Sequence, residues 1–186
     1  MTPQEVIDEC LWHYPQNADR GSLMENLFNA VLREVLGRIE IEEFIQDEVV
    51  SLADQGSYFS GSLTQDPLRF LEVLVGEDRL VPISVGEFFH LPSWVQSGTF
   101  YAFEPQGRTL YINKGSSVLT EVRTRYLYFS PVSASSDYAW LDRFYRIFSL
   151  GLKAKVALMV KDMERAQLFE AEYLQLLGYA QQGGQG

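Results

Sequence analysis

A chain of 186 residues, 46% hydrophobic and 22% charged, is long enough to bury a core without disulfides or a structural metal. Its single cysteine, Cys10, excludes an intrachain disulfide and a thiolate metal cluster built from one chain. The net charge of −10 lacks the basic footprint of tight nucleic-acid binding, and no apolar run approaches the roughly 18 residues of a membrane span.

Charge is unevenly placed. Residues 1–54 hold twelve acids against three bases, whereas residues 138–186 hold five against six. Residues 1–15 carry three carboxylates and no Lys or Arg, unlike a signal or transit peptide, so the expected compartment is the cytosol.

Thr2 followed by Pro3 predicts a helix to Tyr14, with Val6, Ile7, Cys10, Leu11 and Tyr14 on one side and Pro15 as its stop. Ser22 and Glu25 have capping-box spacing. They predict a second amphipathic helix to about Arg38 with Leu23, Leu27, Val31, Leu32, Val35 and Leu36 on its apolar face. From Ile39 the pattern turns β-rich, with a strand at Glu43 to Leu52 and a turn at Asp54 to Ser57. Arg69 to Val75 and Arg79 to Ser84 flank a Gly76-Glu77-Asp78 turn, and Pro82 restricts the second run to an edge. Ser84 and Glu87 repeat the capping spacing. Thr99 to Phe103 and Thr109 to Asn113 form a hairpin around Pro105, Gln106 and Gly107. Gly115 to Ser117 reads as a turn, and Glu121 to Phe129 is a strand in which Arg123 and Arg125 share a face. The set announces an antiparallel sheet or small sandwich.

Tyr138 to Ala180 is free of proline and carries two helical stripes. One runs Phe144, Phe148, Leu152, Val156, Met159; the other runs Met163, Ala166, Phe169, Tyr173, Leu177. Asp162 caps the second helix, which divides the stretch into helices at 138–160 and 162–180. The fold class expected is α+β: a helical bundle from segments 1–40 and 133–180, an inserted antiparallel β-rich subdomain at 41–132, and a flexible tail at 181–186.

Chemistry-bearing patterns are few. His13 and His90 have no partner at ligand spacing, and neither a phosphate loop nor a dinucleotide fingerprint nor a nucleophile elbow occurs. Adjacent acids such as Asp47 and Glu48 point apart on a helix or strand, which is wrong for a shared reaction centre. No catalytic residue, cofactor or metal is assigned.

The order of elements resembles the head-to-tail adaptor, or connector, proteins of tailed bacteriophages. The resemblance rests on the Leu23 to Arg38 helix followed by strand Glu43 to Leu52. It continues through the hairpin Thr99 to Asn113 and strand Arg123 to Pro131, then the helices joined at Lys161 to Ala166, with Phe169, Glu172, Tyr173 and Leu177 following. It implies a ring, typically of twelve copies, between the portal and a tail or nozzle protein, with genomic DNA passing non-specifically through the channel. It implies no enzyme activity, no membrane, and a place in the virion neck after assembly in the host cytoplasm. Phe169, Tyr173, Leu174, Leu177 and Tyr179 are the portal-side contacts this reading selects. The tail Gln181 to Gly186 is then either a frayed end or an arm that orders on portal binding. Two other classes remain open: an acidic cytosolic chaperone or small regulatory binding module holding a client on its β region, and an enzyme whose site is assembled from scattered residues.

Overall fold

The computed structural model describes residues 1–92, 95, 99–114 and 118–183, and the fold is α+β. The chain opens with α1 (Pro3–His13) and α2 (Gly21–Leu36), then runs through β1 (Ile45–Ser51), β2 (Ala53–Asp54), β3 (Tyr58–Ser62) and β4 (Pro67–Val75). Two short strands, β5 (Asp78–Arg79) and β6 (Val81–Pro82), lead to α3 (Val85–Phe88). The hairpin β7 (Phe100–Glu104) and β8 (Thr109–Asn113) precedes β9 (Glu121–Tyr128), after which α4 (Ala139–Met159) and α5 (Met163–Gly183) complete the chain. These elements divide into two compact units: Met1–Glu43 with Ser130–Gly186, and Phe44–Phe129.

In the helical unit, Thr2 caps α1 by accepting from the Glu5 amide while Glu5 reaches back to the Thr2 amide, the reciprocal arrangement that satisfies two orphan donors. Val6, Ile7, Cys10 and Tyr14 are its buried side. The capping box expected at Ser22 and Glu25 does not form. α2 begins at Gly21 with no side-chain cap, and Glu25 Oε1 instead accepts from the Ala134 amide at 2.9 Å. The buried face is also rotated at its start. Met24 and Phe28 are fully buried where Leu23 and Leu27 were expected, because Phe28 stacks on Phe148 of α4 with ring centroids 5.1 Å apart. α5 runs to Gly183, so Gln181 and Gln182, expected in a flexible tail, are helical; Gly184–Gly186 lie outside the described residues.

Asn29 fastens the returning chain to α2. Its Oδ1 accepts from the Val132 amide at 2.8 Å, and its Nδ2 donates to the Val132 carbonyl at 3.2 Å. The Gln4 amide donates to the Ala134 carbonyl, and the Tyr138 amide to the Met1 carbonyl, each at 3.0 Å. The two sequence-distant halves of this unit are therefore tied by backbone and side-chain bonds as well as by the shared apolar interior.

The β unit holds two sheets, of order β1-β9-β4-β5 and β2-β3-β8-β7-β6. Val50, Phe59, Val73, Tyr101, Leu110, Ile112, Val122 and Tyr126 meet in one core, with Phe70 of β4 edge-on to Tyr101 and Phe103 of β7. β9 shows the expected alternation: Val122, Thr124 and Tyr126 are buried, while Arg123 and Arg125 are exposed. Gly61 permits β3 to approach β1, since a Cβ there would lie 2.5 Å from Val50 Cγ1.

One pairing departs from the antiparallel expectation. The run Arg79 to Ser84 splits at buried Leu80: β5 folds back on β4, whereas β6 pairs with β7 in parallel at the edge of the other sheet. Pro82 tolerates that edge because it has no amide to donate. The turn expected at Gly115 to Ser117 lies outside the described residues.

Candidate functional site

The α4–α5 hairpin turns on Lys161, whose φ of +63° reverses the chain, and on Asp162, which caps α5 through the Arg165 amide at 3.3 Å. Gly151 sets how closely the helices meet. A Cβ there would lie 2.8 Å from Val31 Cγ1 and 3.0 Å from Tyr173 Cε2, so the glycine lets the Tyr173 ring rest against α4.

This packing sorts the five residues selected as partner contacts. Tyr173 and Leu177 are interior, 3% and 0% exposed. Phe169 is half-buried and meets the His13 ring edge-on at 6.4 Å. Leu174 and Tyr179 face outward, at 40% and 62% exposed. Met163, expected on the core-facing stripe, is exposed at the first position of α5, and Leu168, which neither stripe included, is exposed as well. Met163 and Leu174 are eleven residues apart, as are Leu168 and Tyr179, and eleven residues is close to three helical turns. Each pair therefore shares a flank of α5, its members about 16 Å apart, with exposed Gln167 and Glu170 between the first two and Glu172 and Gln175 between the second. The eleven-residue spacing was the available signal.

A polar cluster joins α1 to α4. Glu9 Oε1 accepts from Ser149 Oγ at 3.1 Å and from Lys153 Nζ, with Lys153 almost wholly buried. Beside it, burial pushes the Cys10 thiol up to about 12, so the group is neutral at physiological pH and a poor nucleophile. His90 is occupied locally, its Nδ1 lying 2.7 Å from the Gly86 carbonyl oxygen. Among the described residues no group of three or more His, Cys, Asp or Glu could hold a metal ion.

The β unit carries an aromatic cleft of about 310 Å³. The Tyr58 ring stands edge-on to Phe88, Phe89 and Tyr111, with centroids 5.4 to 6.2 Å away, and Phe89 is half exposed. The polar groups beside these rings are engaged within the fold. Asn113 Oδ1 accepts from the Thr99 and Phe100 amides at 3.0 and 2.7 Å, and Lys114 pairs with Asp54. That bond from Lys114, followed by the Gly56 amide, holds the Asp54 carboxyl below its ordinary range. The cleft offers a ligand a mixed surface, the Tyr58, Phe88 and Phe89 rings beside Ser57, Asn113 and Lys114.

No helix among the described residues is long and apolar enough to cross a membrane. No protein-family model matches the sequence, and no curated protein matches it.

Proposed function

We propose that this chain is a structural adaptor of a tailed-bacteriophage neck, a ring subunit present in twelve copies between the portal and the tail. The observation that carries this reading is the outer surface of α5. A 21-residue helix anchored along one side exposes Met163, Leu168, Leu174 and Tyr179 among polar residues on its two flanks, separate apolar anchors that another protein surface can cover. The acidic composition supports the same reading, because a negatively charged channel repels DNA phosphates and lets the duplex slide. A cyclic ring needs two different patches per subunit, and the contrast between the acidic residues 1–54 and the more basic residues 138–186 supplies that polarity.

Light scattering of the chain alone and mixed with portal protein tests the proposal. A stable assembly with portal, weakened by Leu174→Ser and Tyr179→Ser together, is the expected result; a monomer unchanged by portal contradicts it. Both substitutions fall on exposed positions, so the fold survives them.

The aromatic cleft of the β unit favours a second reading, a chaperone or regulatory module that holds a client there. In that case the chain alone is a small oligomer, and Phe89→Ser abolishes client binding while the α5 substitutions leave it unchanged.

A further inference from the structure

Trp12 on α1 is 88% exposed, although tryptophan is among the side chains most buried on average. It has no ring or cation partner among the described residues. Gln4, Asp8 and Trp12 follow at four-residue spacing, so they form one outward stripe of the helix. Gln4 Nε2 donates to Asp8 Oδ1 at 2.7 Å, which steadies a carboxylate one turn from the indole. No cation pairs with that carboxylate among the described residues.

A patch of the opposite character lies on β9. This strand runs between β1 and β4, and Arg123 stands directly across from Val49 on one side and Leu74 on the other. Residues opposite one another share a face of the sheet, and neighbouring strands are about 4.8 Å apart, so two aliphatic side chains bracket Arg123 in a row roughly 10 Å wide. Arg123 is exposed, and Val49 is 58% exposed. The other arginines of this face are engaged: Arg125 pairs with Asp47 at 3.8 Å, and Arg79 Nη2 donates to the Leu71 carbonyl at 2.7 Å. Arg123 has no ion-pair partner among the described residues.

We propose that Trp12 of one copy docks on the Val49, Arg123, Leu74 row of a second copy, with the indole over the guanidinium and the Asp8 carboxylate paired to the same cation. Indole is the ring that attracts a cation best, and a planar guanidinium stacks on it. Val49 and Leu74 cover the edges of the ring, and Asp8 supplies the charge that Arg123 lacks. Separately, each patch keeps apolar surface and an unpaired charge in water; joined, they cover both. A nucleic acid or an anionic membrane would meet Asp8 and Glu5 and be repelled. The complement of each patch is carried by the chain itself, so the occupant is a second copy. The contact joins two different patches head to tail, so it deepens the ring reading and rests on it.

Sedimentation velocity of the full chain, run as a concentration series with and without portal, tests the contact. The wild type should associate with itself, and Trp12→Ser should weaken that association at least about thirtyfold, as loss of a central tryptophan anchor does. Asp8→Lys and Arg123→Glu should each weaken it roughly tenfold or more, by setting like charges against each other. All three positions are exposed, so the variants fold. Mixing the two charge variants should restore association, because the altered patch of each then meets a complementary patch on the other. A mixture as weak as its components would show that the patches do not face each other, and overturns the proposal. Self-association that all three variants leave unchanged also overturns it, with the copies meeting elsewhere and the ring reading intact. If Trp12→Ser weakens only the assembly with portal, the tryptophan belongs to a portal contact and the second-copy proposal falls. A wild type that stays monomeric overturns it too, and the ring reading then falls only if portal fails to assemble the chain.

Discussion

The two units solve the problem of holding together in different ways. The β unit is one uninterrupted stretch, Phe44–Phe129, and its partners are cross-strand neighbours within that stretch. The helical unit is made from both ends of the chain, with the β unit's sequence between them. Its ties therefore span long sequence separations: Glu25 to Ala134, Asn29 to Val132, Glu9 to Lys153. Both units close long loops, since β1 pairs with β9 across most of the β unit, but the loop closed by the helical unit contains the whole of the other unit. The comparison teaches that the helical unit is the more vulnerable to truncation, even though its helices are the longer elements.

The largest consequence is all-or-none. Residues 44–129 expressed alone should fold cooperatively, with dispersed amide resonances, whereas residues 1–43 or 130–186 alone should not. A folded 130–186 fragment would break the comparison.

Next in size is loss of the ring stack in the helical interior. Phe148→Ala removes the partner of Phe28 at a fully buried position and should cost about 3–5 kcal/mol in urea denaturation. Because the interior joins both segments, this loss should unfold the helical unit as a whole.

Buried polar groups sharpen the contrast further. Lys153→Met leaves the Glu9 carboxylate without its cation. Since that side chain is 34% exposed, the expected cost is about 2 kcal/mol, below the range for a fully buried broken pair. Adding Glu9→Gln should recover most of it, and failure to recover would show that the pair contributes through packing alone. In the β unit the counterpart is Tyr126, whose hydroxyl donates to Glu48 Oε1 at 3.1 Å and accepts from the Gln65 amide at 3.3 Å. Tyr126→Phe should cost roughly 1 kcal/mol, because Glu48 keeps its bond from Thr64 Oγ1. An equal cost for Lys153→Met and Tyr126→Phe would remove the difference drawn between the units.

The smallest effect is a titration. The Asp54 pKa is lowered in the folded state, so the Lys114 pair contributes stability above the ordinary carboxylate range of about 4 and loses it as pH falls through the lowered value. Carboxyl-carbon NMR should find Asp54 titrating below the ordinary carboxylate range. An ordinary value would mean that the pair is open in solution.

Local chemistry made some of this legible in the sequence. Thr2 with Glu5 and Ser84 with Glu87 cap the helices they announce, since a capping box needs only residues three positions apart. Ser22 with Glu25 shows the limit. The same spacing fails there because the Glu25 carboxylate is drawn to an amide 109 positions away. Likewise the start of the α2 face shifted to Met24 and Phe28 because a ring on α4 was waiting for Phe28, a contact that helical periodicity does not contain. The switch of chain from one sheet to the other at Leu80 depended on the second sheet already existing. Periodicity placed Tyr173 and Leu177 on a stripe without saying what covers it. The covering surface is the unit's own interior, which moves the outward-facing role to Leu174 and Tyr179. The row of Val49, Arg123 and Leu74 had no sequence signal, because its residues are shared among three strands.

Hydrogen exchange along α5, measured with and without portal protein, tests the central claim most directly. The adaptor reading predicts slow exchange around Tyr173 and Leu177 in both states, since these positions are already interior. It predicts new protection across Leu168 to Tyr179 only when portal is present. Unchanged exchange throughout α5 in the presence of saturating portal would contradict it.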